Sequence, residues 1–156
     1  MEFSSDELAG LVDMFGALTR AELEEALVEL AFRRGEERDP ADFASAVEEA
    51  RASYHLVEFE PAEGAEPVFV PGPVAFPELP SGAADVPHIL AVEERSVDRE
   101  AAGVAAAERF RVEAARVVAA GDEERTRELL DVSYELEAWA PVDLTDARRR
   151  IDDALA

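Results

Sequence analysis

Residues 11–36, LVDMFGALTRAELEEALVELAFRRGE, decide the fold of the first half of the chain. Gly16 separates two helical patterns, because glycine readily takes the left-handed conformation that ends a helix. Thr19 and Glu22 form a capping box, in which each side chain accepts a hydrogen bond from the other residue's backbone N–H. Gly35 ends the second helix. The apolar face of that helix repeats at helical spacing and consists of Leu23, Ala26, Leu27, Leu30 and Ala31.

Similar signals continue on both sides of this stretch. Ser4, with a glutamate three residues on, predicts the start of the first helix, and the Asp-Pro pair at 39–40 predicts the start of a third. Residues 56–60 and 68–70 have the pattern of two strands joined by a turn rich in glycine and acid. Three short helices followed by a β-hairpin are the element order of a winged-helix domain. We therefore expect a mainly α protein with a small β-hairpin (α+β), in which residues 1–76 form a winged-helix-like module.

The rest of the chain is divided by prolines. Seven of the nine prolines lie between residues 61 and 87, so residues 77–96 are predicted to be a Pro-rich linker with a short helix near Asp85. Residues 97–156 are predicted to form a helical hairpin or bundle. Its helices are expected at 98–120, from Asp122, and from Asp143 or Thr145.

The charge of the chain indicates a saline environment. There are 37 acidic and 15 basic residues, giving a net charge of −22, and every basic residue is arginine. Carboxylates are spread over all the predicted helices, and at ~1 M salt the Debye length of ~3 Å screens their mutual repulsion. We interpret this pattern as that of a halophilic protein, the alternative being an ordinary acidic protein from a GC-rich genome. The acidic N-terminus does not resemble a signal peptide, which predicts a cytoplasmic protein.

Several chemistries lack the residues that they need. Lysine, cysteine, asparagine and glutamine are absent, which excludes a P-loop lysine, a Schiff base, a thiol nucleophile and a thiolate metal site. No GxGxxG, HExxH or GxSxG motif occurs. The two histidines, His55 and His88, have no nucleophile motif beside them and are predicted to be structural. We expect no enzymatic activity and no catalytic, cofactor-binding or metal-binding residues; a carboxylate-dependent hydrolase is the least favoured class.

Four segments carry a family resemblance: LVDMFGALTRAELEEALVELAFRRGE, SYHLVEFEP, PHILAVEERSVDREA and LLDVSYELEAWAPVD. The chain resembles an uncharacterised haloarchaeal protein family over nearly its whole length. The resemblance implies a halophilic protein, and it brings no activity and no site residues.

The predicted third helix argues against DNA binding. A winged-helix protein reads the major groove with this helix, but here Asp42, Glu48 and Glu49 outnumber Arg51 on its outward side. Such a surface repels phosphates, although molar salt weakens the repulsion. Acids one helical turn away also neutralise many arginines, as in the pairs Glu29–Arg33, Arg109–Glu113, Glu123–Arg127 and Asp146–Arg150.

The candidate partner contacts lie in the C-terminal half. Trp139, the only tryptophan, either fills the C-terminal core or is an exposed anchor, and Tyr134 precedes it on the same helix. Arg148, Arg149 and Arg150 are the one basic run, which predicts either a phosphate contact or a paired surface helix. We expect a non-catalytic protein-interaction or regulatory protein whose partner is another protein or a second copy. The alternative is a DNA-binding winged-helix transcriptional regulator, with residues 98–120 as its dimer interface.

Overall fold

The computed structural model describes residues 2–90 and 92–156, with the side chains of His88 and Ile89 left out. The chain forms two compact units, Met1–Val97 and Asp98–Ala156. It is mainly α-helical with one small antiparallel sheet, which confirms the predicted α+β fold class. The first unit contains α1 (Ser5–Phe15), α2 (Arg20–Arg33), α3 (Ala44–Ala52), β1 (Leu56–Phe59), β2 (Val68–Pro71) and the short α4 (Val86–Ile89). The second contains α5 (Arg99–Ala120), α6 (Glu123–Trp139) and α7 (Thr145–Leu155).

Both predicted capping boxes are present. The Thr19 Oγ1 atom accepts from the Glu22 backbone N–H at 3.2 Å, and Glu22 Oε1 accepts from the Thr19 N–H at 2.8 Å. Ser4 and Glu7 make the same reciprocal pair at 3.0 Å for each bond. These bonds satisfy backbone donors that have no partner within a helix, which fixes where α1 and α2 begin.

The third helix begins later than expected. A 3₁₀ turn occupies Pro40–Phe43, and α3 follows from Ala44. The Asp42 N–H bonds the carbonyl of Asp39 at 2.9 Å, three residues back, and its side chain accepts from the Asp39 N–H at 2.9 Å. The backbone bond between residues three apart is that of 3₁₀ geometry, whereas the side-chain bond is the same N-cap contact that Glu7 and Glu22 make.

A left-handed tyrosine ends α3. Tyr54 has φ of 63° and is fully buried. The His55 N–H bonds the Ala50 carbonyl at 2.9 Å and the Tyr54 N–H bonds the Arg51 carbonyl at 3.2 Å, which is a Schellman motif. This position normally prefers glycine, and burial of the Tyr54 ring offsets the conformational cost of about 1–2 kcal/mol. Gly72 passes so close to the Tyr54 carbonyl that a Cβ on it would lie 2.2 Å away.

The small sheet has a third extended partner. Strands β1 and β2 pair antiparallel, with Val57 opposite Val70. Leu18, in the connection between α1 and α2, forms a two-bond bridge with Phe69 of β2, at 3.2 and 2.7 Å. The helices α1 and α3 pack on this sheet and α2 packs on α1, around a fully buried core that includes Leu8, Leu11, Leu23, Leu27 and Leu30.

Residues 77–97 belong to the first unit, which differs from the predicted linker at 77–96. The Glu78 N–H bonds the Asp6 carbonyl at 3.0 Å, and the Arg95 N–H bonds the Phe15 carbonyl at 2.7 Å. The Arg95 guanidinium also bonds both carboxylate oxygens of Glu22, at 2.5 and 3.0 Å. Proline content alone could not predict this, because proline prevents a regular ladder but leaves isolated backbone bonds free to form.

The second unit is a three-helix bundle. Its core includes the fully buried side chains of Phe110, Leu129, Leu136 and Ile151. Gly103 of α5 lies so close to Ala140 that a Cβ on it would be 2.4 Å from the Ala140 Cβ. Within the described residues, no helix is long and apolar enough to cross a membrane.

Candidate interaction surfaces

Arg148, a predicted contact, is held inside the second unit. Its Nη1 and Nη2 atoms lie 2.8 and 3.2 Å from the two carboxylate oxygens of Glu137, and Nη1 lies 3.3 Å from Ser133 Oγ. Its guanidinium stacks on the Tyr134 ring, 4.4 Å from the centroid. The Arg148 hydrogen bond, together with one from the Leu144 N–H, lowers the pKa of Glu137. Arg148 therefore joins α6 to α7 and has little capacity left for a partner.

The neighbouring predicted contacts are accessible. The structure brings Tyr134 and Arg148 together and leaves Tyr134 57% exposed. Arg149 and Arg150 are exposed and have no ion-pair partner among the described residues. The basic run therefore contains one bound arginine and two free ones, because consecutive residues on a helix face different directions.

Trp139 was predicted either to fill the C-terminal core or to be an exposed anchor, and its exposure in the structure is intermediate. It is half-buried at the end of α6, and the Arg99 guanidinium lies 4.6 Å from its ring centroid. Arg99 Nη1 also donates to the Trp139 carbonyl at 3.4 Å. This cation–π contact packs one ring face against the second unit, so the tryptophan supports the bundle and only part of it reaches solvent.

The outer face of α5 lies within residues 98–120, which were predicted as a dimer interface only for the alternative DNA-binding regulator, with no contact residues named. Val104 is 51% exposed and Val112 is 70% exposed. Both lie away from the buried face, which consists of Ala102, Gly103, Ala106, Ala107, Phe110 and Ala114. The signal was in the sequence, since two valines eight residues apart share one side of a helix.

A second exposed apolar segment lies on the first unit. Phe76 is 82% exposed and Leu79 is 55% exposed. The backbone between them is nevertheless fixed, because Asp6 accepts from the Phe76 N–H through Oδ1 and from the Glu78 N–H through its carbonyl, each at 3.0 Å. We call residues 76–79 the α1 strap. Sequence reasoning missed it because the contact with Asp6 joins residues 70 positions apart.

The α3 face is acidic, and its arginines are already bound. Glu48 receives Arg20 Nη2 at 2.7 Å and Arg51 Nη2 at 3.0 Å. The hydrogen bond from Arg51 lowers the pKa of Glu48, and the bond from Arg20 adds to the effect. Glu49 is exposed on the same helix, and the connection between β1 and β2 carries the exposed acids Glu60, Glu63 and Glu66.

His55 joins Ser53 and Asp6 in a line that resembles a catalytic triad. Its Nδ1 atom lies 2.6 Å from Ser53 Oγ, and its Nε2 atom lies 3.6 Å from Asp6 Oδ1. However, the Ser53 hydroxyl also lies within hydrogen-bond distance of two helix carbonyls, that of Glu49 at 2.9 Å and that of Ala50 at 3.2 Å. The 3.6 Å between Nε2 and Asp6 Oδ1 exceeds hydrogen-bond distance, so the carboxylate does not orient the imidazole as in a triad, and the contact connects the end of α3 to α1. The side chain of His88 lies outside the described residues.

Neither unit contains a described cluster of histidine and acid placed to hold a metal ion. The fold and these surfaces define a mainly α protein of two compact units with exposed apolar side chains on an acidic exterior. The chain belongs to a family of unknown function, DUF7109, whose sequence model matches residues 6–156. No curated protein and no solved structure matches it.

Proposed function

We propose that this is a non-catalytic protein-interaction or regulatory protein of a halophilic cytoplasm. The observation that supports this most is the α1 strap. Its Phe76 side chain is 82% exposed, while the Phe76 backbone N–H is fixed by a hydrogen bond to Asp6. Large aromatic side chains dominate the binding energy of protein interfaces, and a fixed backbone reduces the entropy lost on binding. The strap therefore has the properties of a preorganised anchor for another protein.

The halophilic setting is supported by charge. A net charge of −22 on 156 residues would disfavour the compact state at low ionic strength, whereas molar salt screens it. The resemblance to haloarchaeal sequences points the same way. In the second unit, the exposed Tyr134, Arg149 and Arg150 and the partly exposed Trp139 remain proposed partner contacts.

The experiment that tests the strap is site-specific photocrosslinking. A benzophenone amino acid replaces Phe76 in one variant and the exposed Ala21 of α2 in a matched control, in the native cytoplasm at ~2 M KCl, where electrostatic attraction is screened. We expect one protein crosslinked at position 76 and not at position 21, with competition by wild-type protein and not by a variant carrying Phe76→Ala and Leu79→Ala. Equal labelling at both positions would contradict the proposal.

The alternative, a DNA-binding winged-helix regulator, is favoured by one specific observation. The Leu18–Phe69 bridge adds a third extended segment to the hairpin, as in the three-stranded sheet of winged-helix domains. Against it, the arginines nearest α3 are bound to Glu48. Fluorescence anisotropy with genomic duplexes at ~1 M KCl, where phosphate repulsion is screened, decides between the two. A saturable complex that resists competitor DNA would establish the alternative; we expect none.

A further inference from the structure

Five positions on the outer face of α5 carry the same residue types in both directions along the helix. Read outward from Glu108, valines stand four residues away at 104 and 112, and alanines stand seven residues away at 101 and 115. At 3.6 residues per turn, all five positions lie on one side of the helix over about 21 Å. The valines and Glu108 are exposed, and the alanines are half-buried.

We propose that this face binds a second copy of itself, as an antiparallel helix pair whose two-fold axis passes beside Glu108. In an isologous interface each residue meets the image of its counterpart across the axis. Val104 then packs on Val112 of the second copy and Ala101 packs on Ala115, each pair occurring twice. The inference deepens the proposed function, on which it rests, by naming the partner at this face.

The charges on the face complement one another in the same register. Glu108 meets its own image at the axis, and Arg111 lies one helical turn along, within reach of the other copy's glutamate. Arg111 Nη2 donates to the Asp143 carbonyl of its own chain at 2.8 Å, which restricts the side chain and leaves its other N–H donors for the glutamate. Two glutamates and two arginines therefore gather at the axis with no net charge.

A second pair of opposite charges lies at the edge of the seam. Asp98 is the N-cap of α5 and lies 18 residues before Arg116, and 18 residues make five helical turns, so the two share one edge of the helix. An antiparallel partner therefore brings each Arg116 close to the other copy's Asp98. Arg116 is exposed and has no ion-pair partner among the described residues. Asp98 uses Oδ1 to cap the Glu100 N–H at 3.0 Å, which leaves its second oxygen for the arginine. A parallel pair would instead place Arg116 near Arg111, so the charges favour the antiparallel arrangement.

The test uses charge-reversed variants of the full chain. Glu108→Arg gathers four arginines at the axis, and Arg111→Glu gathers four glutamates, so each variant alone should dimerise at least about tenfold more weakly than wild type. Mixed in equal amounts, the two variants place arginines opposite glutamates and should recover a dimer. Sedimentation equilibrium from ~10 µM to ~1 mM suits an interface of this size. The salt should be the lowest KCl concentration at which circular dichroism shows the native fold, since salt screens the pairs.

Matched controls distinguish an effect of the proposed helix pairing from an effect of the changed net charge. Glu135→Arg and Arg127→Glu make the same changes at exposed positions of α6 and should leave dimerisation unchanged. Val112→Asp should abolish the dimer even at ~3 M KCl, where charge pairs are screened, whereas Ala138→Asp should not. A monomeric wild type, or a mixture that stays monomeric, would overturn the proposal. A partner crosslinked at position 76 would still support the proposed function in that case.

Discussion

Arg148 and Glu137 form a two-point ion pair that joins α7 to the end of α6, with Nη1 and Nη2 at 2.8 and 3.2 Å from the two oxygens of Glu137. Glu137 Oε2 also accepts from the Leu144 N–H at 2.8 Å. One carboxylate therefore holds the backbone just before α7 and a side chain on its first turns. The Arg148 side chain is only 15% exposed, so solvent screens the pair less than a surface salt bridge.

We expect Arg148→Ala to lower the free energy of unfolding of the second unit by about 1–3 kcal/mol, because it leaves Glu137 without its charged donor. The neighbouring Arg149→Ala is the control and should change it by less than about 0.5 kcal/mol, since Arg149 is exposed and unpaired. Trp139 is the only tryptophan and lies in this unit, so its fluorescence during urea unfolding measures this transition. Equal effects of the two substitutions would contradict the assigned role.

The same pair predicts a pH dependence. The pKa of Glu137 is lower in the folded chain than its ordinary value of 4.5. The unfolded chain therefore binds the proton more readily, and the stabilisation is fully present above pH 4.5 and is lost as the pH falls through the folded pKa. We expect the stability advantage of wild type over Glu137→Gln to be constant near neutral pH and to shrink below pH 4.5. Comparing the two proteins at each pH cancels the titration of the other carboxylates, and a constant difference would refute the assignment.

Gly103→Ala should destabilise the second unit by about 1–3 kcal/mol, because the new Cβ would lie 2.4 Å from the Ala140 Cβ. Helix propensity alone predicts the opposite sign, a gain of about 0.8–1.0 kcal/mol. The exposed Ala119→Gly on the same helix is the control and should lose up to about 1 kcal/mol by propensity. Thermal unfolding of both variants decides the sign, and a more stable Gly103→Ala protein would show that the close approach is absent.

Stability should rise with salt. Folding brings 37 carboxylates closer together than in the unfolded chain, and 15 arginines cannot neutralise them. Raising KCl from ~0.1 to ~1 M shortens the Debye length from ~10 to ~3 Å, which removes most of this repulsion. We expect the midpoint of thermal unfolding, followed by circular dichroism at neutral pH, to increase from ~0.1 to ~3 M KCl. A flat or falling midpoint would remove the physical support for a halophilic protein.

Local patterns determined where most of the secondary structure lies. The capping boxes at Ser4 and Thr19 act over three residues, and the strand patterns near Val57 and Val70 act over a few more, so their physics is contained in the sequence. The Glu29–Arg33 pair, one turn apart, is formed as expected at 3.5 Å. Even here one local rule was incomplete, because the Asp39–Pro40 start produced a 3₁₀ turn before α3.

Tertiary structure decided which charged and aromatic side chains are bound within the chain and which remain exposed to a partner. Arg148 is bound by Glu137 and Arg149 is free, although both belong to one basic run. Glu113 of α5 receives Arg125 of α6 at 3.0 Å, a contact between residues 12 positions apart. Phe76 lies next to the predicted linker; Asp6 fixes its backbone N–H, and its side chain remains exposed. Such partners lie from about a dozen to 70 residues apart, and their meeting depends on how helices pack, which no short-range periodicity encodes.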